Sequence, residues 1–458
     1  MKTTPHLLPL LLSAGLACAS LQAQAKVSPE EAARLGTELT PMGAEKAGNA
    51  DGSIPAWSGK WRGAPPQVNY GGPGTPYADP YAGEKPLFEI TAKNMEQYTK
   101  NLTDGQRAML KRYPETFRIP VYPSHRDFRL SEVIEKRIKD NAVNAELTDG
   151  GNTVVGAYGA SPFPIPKDGY HLIWNHTLQA RVGSEEAIYD QAVTYSNGTQ
   201  ALQTVSYQIL SPWSDPQGSR EAFTSGFMSH FMITTLKPAR AKGEIISGNE
   251  FVDPSVRPRQ SWQYLPGTRR VRRAPTVGYD TPTGAGGFRT IDEDRLFNGA
   301  TDRYEWKMLG KREVYIPYNN YKLQDPNVKY AQLLTPNHAN PDFMRYELHR
   351  VWVVEGTLKP GSRHIYGKRT MYLDEDTWSA ALADNYDNRG QLWRTNLQTT
   401  AYAYDAQVNH ALVSMYHDLI AGSYLADRLS NEEKPAILNK ATFNAAYFSP
   451  ANMRKLGQ

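Results

Sequence analysis

The chain has almost no cysteine. Its single one, Cys18, sits near the start, so the rest can hold neither a disulfide framework nor a cysteine nucleophile. Charge of either sign is also in short supply. The 51 Lys and Arg and 47 Asp and Glu leave a formal net charge of +4 on 458 residues. That balance argues against a general nucleic-acid-binding surface. After Ala25 no apolar run reaches membrane-spanning length. No G-x-S-x-G elbow, no H-E-x-x-H pair and no phosphate loop occurs; Gly284-Ala-Gly-Gly287 lacks the Lys-Ser/Thr it would need and reads as a mobile loop. No catalytic residue, metal ligand set or cofactor is therefore assigned.

The start of the chain reads as a secretory leader. Lys2 supplies the positive charge, Leu7 to Ala19 is apolar and small, and Ala23-Gln-Ala25 is an A-x-A cleavage site. Gly15-Leu-Ala-Cys18 has Gly where a lipidation signal wants Leu, so Cys18 is not expected to be acylated. The expected organisation is a leader over 1–25, an arm with short helices over 26–150, and a β-sheet domain with a C-terminal helix over 151–458. Residues 26–458 are expected to form one unit, with Gly150 the best internal boundary.

Ser28-Pro-Glu-Glu31 is a capping box that opens a short helix. Asn49 to Glu84, rich in Gly, Pro and aromatics, keeps no period and reads as an irregular arm on the surface. Two short helices are expected between Thr91 and Tyr113 and a longer one from about Ser131 to Leu147. Beyond Gly151 the period becomes two. Tyr170 to His176 reads as a strand, which would point His171 and His176 to opposite faces. His410 and His417 could share a helix face; each of these histidines is expected to be structural. Asn197-Gly198 is a hairpin signal, Phe227–Leu236 pairs with Gly243–Glu250, strands flank Gly310, and Lys359-Pro-Gly-Ser362 closes another hairpin. Short linkers mean antiparallel pairing, and the missing β-α-β alternation excludes a nucleotide-binding α/β fold.

Aromatics are abundant: 27 Tyr, 13 Phe and 9 Trp. Trp174, Trp262, Trp306, Trp352 and Trp378 all fall in expected strands. They could fill a thick core or wall an apolar cavity. The densest stretch is Arg259 to Pro275. Trp262 and Tyr264 alternate with Gln263 and Leu265, Pro266-Gly267 bends the chain, and Arg269, Arg270, Arg272 and Arg273 surround Val271. If the bend keeps phase, Trp262, Tyr264, Arg270 and Arg272 share a face and Leu265, Arg269, Val271 and Arg273 the other. The arginines either pair with Asp292, Glu293, Asp294 or Asp302, or present a basic site to an anionic head group or acidic partner. Asp292-Glu-Asp294 reads as a solvated turn, and Asp374-Glu-Asp376 as a hairpin tip.

The segment Trp262-Gln-Tyr-Leu-Pro-Gly-Thr-Arg-Arg-Val-Arg-Arg273 resembles one in LolA-like periplasmic proteins that accompany RND-type lipid exporters. Further pieces are Leu39-Thr-Pro-Met-Gly-Ala-Glu45, Pro162-Phe-Pro-Ile-Pro166, Trp174-Asn-His176, Phe297-Asn-Gly-Ala300, Asp302-Arg-Tyr-Glu-Trp306 and Pro317-Tyr-Asn319. Together they resemble the proteobacterial domain-of-unknown-function family 1329 over nearly the whole length. The resemblance implies a LolA/LolB-like half-barrel: mainly β (α+β), a strongly curved antiparallel sheet with helices on its concave side. It also implies a periplasmic setting beside RND-type transporters and outer-membrane proteins, without a demonstrated activity.

The expected function is a periplasmic carrier or adaptor for a hydrophobic or lipid-like ligand, not an enzyme. Trp262, Tyr264, Trp306, Trp352, Arg270 and Arg272 would bind the ligand, and Arg269 and Arg273 would touch a head group or partner. An envelope hydrolase and a ligand-free scaffold are the alternatives. The processing expectation has a direct check: N-terminal sequencing of the exported protein should begin at Lys26, and an acylated Cys18 would overturn it.

Overall fold

The computed structural model describes residues 27–274, 278–440 and 442–457. The leader and its cleavage site lie outside them. Sixteen strands join one open sheet. In chain order they are β1 (Phe88–Ile90), β2 (Ile119–Val121), β3 (Ser184–Thr194), β4 (Gln200–Leu210), β5 (Phe227–Lys237), β6 (Ile245–Phe251), β7 (Gln260–Leu265), β8 (Arg270–Arg273), β9 (Tyr304–Pro317), β10 (Tyr346–Leu358), β11 (Lys368–Asp374), β12 (Ala380–Tyr386), β13 (Leu392–Ala403), β14 (Val408–Asp418), β15 (Ser423–Leu429) and β16 (Ile437–Leu438). Across the sheet they run β1-β2-β10-β11-β12-β13-β14-β15-β3-β4-β5-β6-β7-β8, with β9 also on β10 and β16 on β3. Neighbours pair antiparallel apart from one parallel bridge, Tyr346 to Val121. The protein is thus mainly β, a large curved antiparallel sheet that carries helices.

The helices are α1 (Pro29–Ala32), α2 (Asp104–Arg112), α3 (Glu132–Asn144), α4 (Gly169–Thr177), α5 (Tyr330–Leu333) and α6 (Pro450–Leu456). Ser28, Thr103 and Ser131 accept from the first-turn amides of α1, α2 and α3, as Ser and Thr do at helix starts. Between α1 and β1 the described chain has no regular helix or strand, as expected of the arm. That arm is nonetheless anchored, with Ile54 buried in the core.

Four local expectations need correction. Tyr170 to His176 is helical, not a strand, so His171, Trp174 and His176 all lie on α4. Asp168 caps it by accepting from the His171 amide, and a short run buried on nearly every side has no amphipathic period to read. Residues 304–317 are one strand rather than two, with a bulge where Gly310 takes φ +97°. His410 and His417 lie on β14, not a helix, and their odd spacing sends them to opposite faces. Trp378 precedes β12, in a left-handed turn at φ +62°.

The two faces carry different cores. On one, α4 covers Trp306, Val354, Met371 and Leu373. Gly169 makes that approach possible, since a Cβ there would fall 2.4 Å from the Trp306 backbone. On the other, Met109 and Leu110 of α2 pack with Leu397 and Met415.

A charged segment locks onto the α4 face. Asp292 and Glu293 are buried and Asp294 is half-buried, so the triplet is not the solvated turn expected, and its partners are not the arginines of β8. Arg369 Nη2 meets Asp292 Oδ2 at 2.8 Å and His364 Nε2 meets it at 3.2 Å. Glu293 accepts from Tyr366 at 2.9 Å and Asn396 at 3.0 Å, with Arg394 at 3.7 Å. Arg289 bridges Asp294 at 3.4 Å and Asp427 at 3.1 Å. Burial alone would push the Asp292 carboxyl up, but the Arg369 guanidinium beside it prevails and holds it down at about 2. Gly284 to Gly287, expected as a mobile loop, is a packed turn of the same segment: Ala285 is buried and its amide donates to Gln191 at 2.9 Å.

The turn Asp374-Glu-Asp376 does join β11 to β12, but it too is buried. Glu375 receives Arg350 at 2.7 Å and Lys311 at 2.8 Å, and Asp376 receives Arg126 at 2.6 Å. Arg126 also donates to the Glu45 carbonyl at 2.7 Å, which fastens the N-terminal arm.

Arg369 offers the clearest test of this anchoring. Arg369→Met should lower unfolding stability by about 3–5 kcal/mol, because Asp292 is left buried without its cation. Adding Asp292→Asn should restore part of the loss. Chemical denaturation of the three proteins measures both; an unchanged single variant would contradict the anchoring role.

Candidate functional site

Register carries the α4 face across the whole sheet. Val354 stands opposite Met371, Met371 opposite Ala383, Ala383 opposite Asn396, Asn396 opposite Tyr416, Tyr416 opposite Leu425, and Leu425 opposite Val193 of β3. Alternate residues back along β3 keep the same face, so Tyr189 meets Val205 and Ala187 meets Tyr207. Tyr207 meets Ile233, Ile233 meets Ile246, and Ile246 meets Gln263. The β9–β15 half of this face is filled by α4 and the acidic segment. The β3–β7 half is not.

There the face opens into a cavity of about 460 Å³. Its floor is Val205, Tyr207, Ile209, Phe231, Ile233 and Ile246; residues 281–283 and 289–295 and the chain just after α4 close over it. A chamber of about 170 Å³ adjoins it through Thr177, Met228 and Glu250. The volume lies within the range of about 300–1,000 Å³ usual for ligand pockets, and the floor is apolar, as the linings of such pockets mostly are, while charged side chains stand in its roof and walls. By contrast, the space among Trp57, Arg126 and Tyr402 amounts to about 50 Å³.

Charged side chains enter this apolar space from the roof and walls. Arg428 reaches Glu185 at 2.5 Å, and Glu185 also accepts from Tyr189 at 2.5 Å. Burial would raise the Glu185 carboxyl, but Arg428 outweighs it and holds the group at about 2. Arg259 pairs with Glu250 and Arg289 with Asp427. Arg181 and Arg295 also face the cavity.

The residues expected from sequence are placed as follows. The β7–β8 hairpin sets Arg273 opposite Trp262, Arg272 opposite Gln263, Val271 opposite Tyr264 and Arg270 opposite Leu265. The expected phase is therefore corrected: Val271 and Arg273 share the face of Trp262 and Tyr264. The loop at Pro266-Gly-Thr-Arg269, with Arg269 at φ +51°, shifts the count by one. Arg270 and Arg272 fall on the cavity face with Gln263, which borders the cavity. Arg269, Arg270, Arg272 and Arg273 are all exposed, and among the described residues none forms an ion pair.

Tyr264 is sealed on the opposite face, under the C-terminal tail, where its hydroxyl donates to the Gly457 carbonyl at 2.7 Å. Trp262 packs at the edge of that cluster and also borders the cavity. Trp306 is buried beneath α4, with its Nε1 donating to the Thr301 carbonyl at 3.1 Å. Trp352 lies half-buried at the far end of the same sheet, with the Lys311 ammonium 4.9 Å from its ring centre. Trp306 and Trp352 thus share a face, but the sheet order sets them far from Trp262, and the three form no common wall.

Sequence reasoning missed Tyr207, Ile233, Arg181, Arg289, Arg295 and Arg428. Two signals were present. Val205-Ser-Tyr-Gln-Ile209 alternates cleanly, and Asp427-Arg428 interrupts an otherwise apolar strand. Among the described residues, one trio of metal-ligand type, His349, Asp374 and Asp376, brings its atoms within 4.8 Å. Arg126 already occupies Asp376, and Glu347 engages His349 at 3.1 Å.

Comparison with known proteins gives a sequence relative that is matched from end to end. An uncharacterised protein of Pseudomonas aeruginosa is 45% identical over 474 aligned positions, covering 100% of both chains. Among solved structures, a DUF1329 family protein from Desulfovibrio piger has TM-score 0.41 at 14% identity, over 59% of this chain and 92% of its own. A LolA superfamily protein from Nitrosomonas europaea has TM-score 0.37 at 12% identity, over 62% of this chain and 98% of its own. The chain belongs to the family described as protein of unknown function DUF1329, whose pattern it matches over residues 89–454.

Proposed function

We propose that this protein is a carrier that holds a hydrophobic or lipid-like molecule in the cavity between β3–β7 and residues 281–295. One observation supports the reading above the rest: about 460 Å³ left open on an apolar sheet face whose other half is fully packed. Each methylene buried there contributes roughly 0.8 kcal/mol, so shielding about ten of them offsets the cost of leaving a membrane. The leader suggested by the sequence puts the carrier in the periplasm. The proposed partners are an RND-type inner-membrane transporter and an outer-membrane protein, with the ligand passing between them.

The exposed arginines at the β7–β8 edge have a place in this reading. Arg270 and Arg272 share the cavity face, so an anionic membrane surface or acidic partner held there would lie along the same side of the sheet as the cavity. Arg269 and Arg273 extend the patch.

Two measurements test the proposal. Purified protein should bind a fluorescent fatty acid with roughly micromolar affinity, about 8 kcal/mol. Ile233→Lys should weaken that binding about tenfold or more with the fold intact, since Ile233 is only half-buried and faces the cavity. A charge at Trp306 should instead unfold the protein. Failure to bind any lipid probe would leave the scaffold reading. Separately, Arg270→Glu with Arg272→Glu should abolish sedimentation with vesicles rich in phosphatidylglycerol and leave stability within about 1 kcal/mol. Unchanged sedimentation of the folded double variant would remove the edge from the proposal.

A further inference from the structure

The cavity holds more cation than its own carboxylates neutralise in place. Arg428 is bound by Glu185, Arg289 by Asp427 and Asp294, and Arg259 by Glu250. Two cavity-lining guanidiniums remain. Arg295 is 9% exposed, and among the described residues it makes no ion pair and no side-chain hydrogen bond. Arg181 makes one long contact, 3.5 Å to the His176 carbonyl, and its Nε is buried with no partner at all. A guanidinium withdrawn from water without a carboxylate partner loses solvation and gains little, and the buried Nε of Arg181 gains nothing.

The backbone presents these two groups from opposite sides of the roof. Arg181 follows α4, whose Leu172 and Ile173 pack with Trp306 on the sheet and whose Trp174 donates from Nε1 to the Gly151 carbonyl at 2.8 Å. Arg295 follows the acidic segment and adopts φ +53°, a left-handed conformation that a non-glycine residue holds only when its surroundings impose it. Here the surroundings are the anchors at Asp292 and Glu293, three and two residues earlier. Both elements are pinned for reasons of packing and charge, so both guanidiniums are preorganised. Burial pushes the Arg181 guanidinium down to about 9; the positive charge of Arg295 adds to that effect, and the Asp294 and Glu250 carboxylates offset it only in part. An anion between them would relieve both penalties.

We propose that Arg181 and Arg295 form the head-group seat of the cavity, and that its ligand is an amphiphile with one acidic head, a carboxylate or a phosphate monoester. The inference rests on the carrier reading and narrows it. The guanidinium fork matches either head in two-pronged geometry. The floor of Tyr207, Phe231, Ile233 and Ile246 takes the tail. The exposed arginines of the β7–β8 edge, which the sequence marked as the binding cluster, are left to contact what lies outside.

The test compares heads on a constant tail. Palmitate, 1-hexadecanol, palmitoyl lysophosphatidate and palmitoyl lysophosphatidylcholine are each titrated, below their aggregation limits, against a protein-bound fluorescent fatty acid. The two acidic ligands should bind roughly tenfold to a hundredfold more tightly than the neutral and zwitterionic ones. Their order relative to each other identifies carboxylate or phosphate as the better head. Arg181→Met and Arg295→Met should bring the preference below about threefold while hexadecanol binding stays unchanged, since methionine keeps the apolar bulk. Arg181→Lys should retain part of the preference. Equal affinities for all four ligands in the natural protein would overturn the seat and leave the carrier intact. Binding of none of them would overturn both, and that comparison needs no variant to fold.

Discussion

The structure depends on a set of carboxylates placed where carboxylates are costly. Asp292 and Glu293 sit inside the molecule, against the sheet, with Asp294 half-buried beside them, and each is met by a guanidinium: Arg369, Arg394 and Arg289. An acidic segment cannot be carried into an apolar interior without such partners. The partners in turn are spaced by the sheet, because Arg369 and Arg394 stand on β11 and β13, two strands apart. The segment therefore binds in one position only. The loops on either side take their places from it, including the roof of the cavity.

The same logic recurs at the arm. Glu375 and Asp376 lie in a turn that would ordinarily face water, yet Arg126, Arg350 and Lys311 close over it. The arm carries no regular structure of its own and could not hold its course by backbone pairing alone. Buried charge supplies the specificity that a helix or strand would otherwise give. Such pairs contribute little net stability against an apolar alternative, but they penalise any other arrangement strongly.

Most of the sheet was legible in the sequence because the information is local. Asn197-Gly198, Lys359-Pro-Gly-Ser362 and the alternation through β4 each specify a turn or a face without reference to distant residues. The failures share the opposite property. Tyr170 to His176 is buried on nearly every side, so it carries no amphipathic period to mark the helix that Asp168 caps. The phase of Val271 against Tyr264 turned on the residue count of one loop. The acidic triplet looked like a solvated turn because its partners lie some seventy to a hundred residues further on in β11 and β13. The edge arginines drew attention by density, whereas Arg181 and Arg295 are isolated in sequence and meet only in the fold.

The two halves of the sheet differ in how completely their faces are packed. In the β9–β15 half both faces are filled, which fixes the frame. In the β3–β7 half the back is filled by the C-terminal tail, where Phe448 and Met453 cover Met232, Ile245 and Tyr264. Only the front is left hollow. Side chains around a void forfeit dispersion contacts on one side, so a hollow of this size lowers stability unless something occupies it. The packed half and the buried ion pairs let the chain tolerate that loss. The roof links the two halves, since Arg295 is continuous with Asp292 and Glu293. A ligand that engaged Arg295 would thus press on the segment that the buried ion pairs hold in register. Filling the cavity and securing its roof would then stabilise each other.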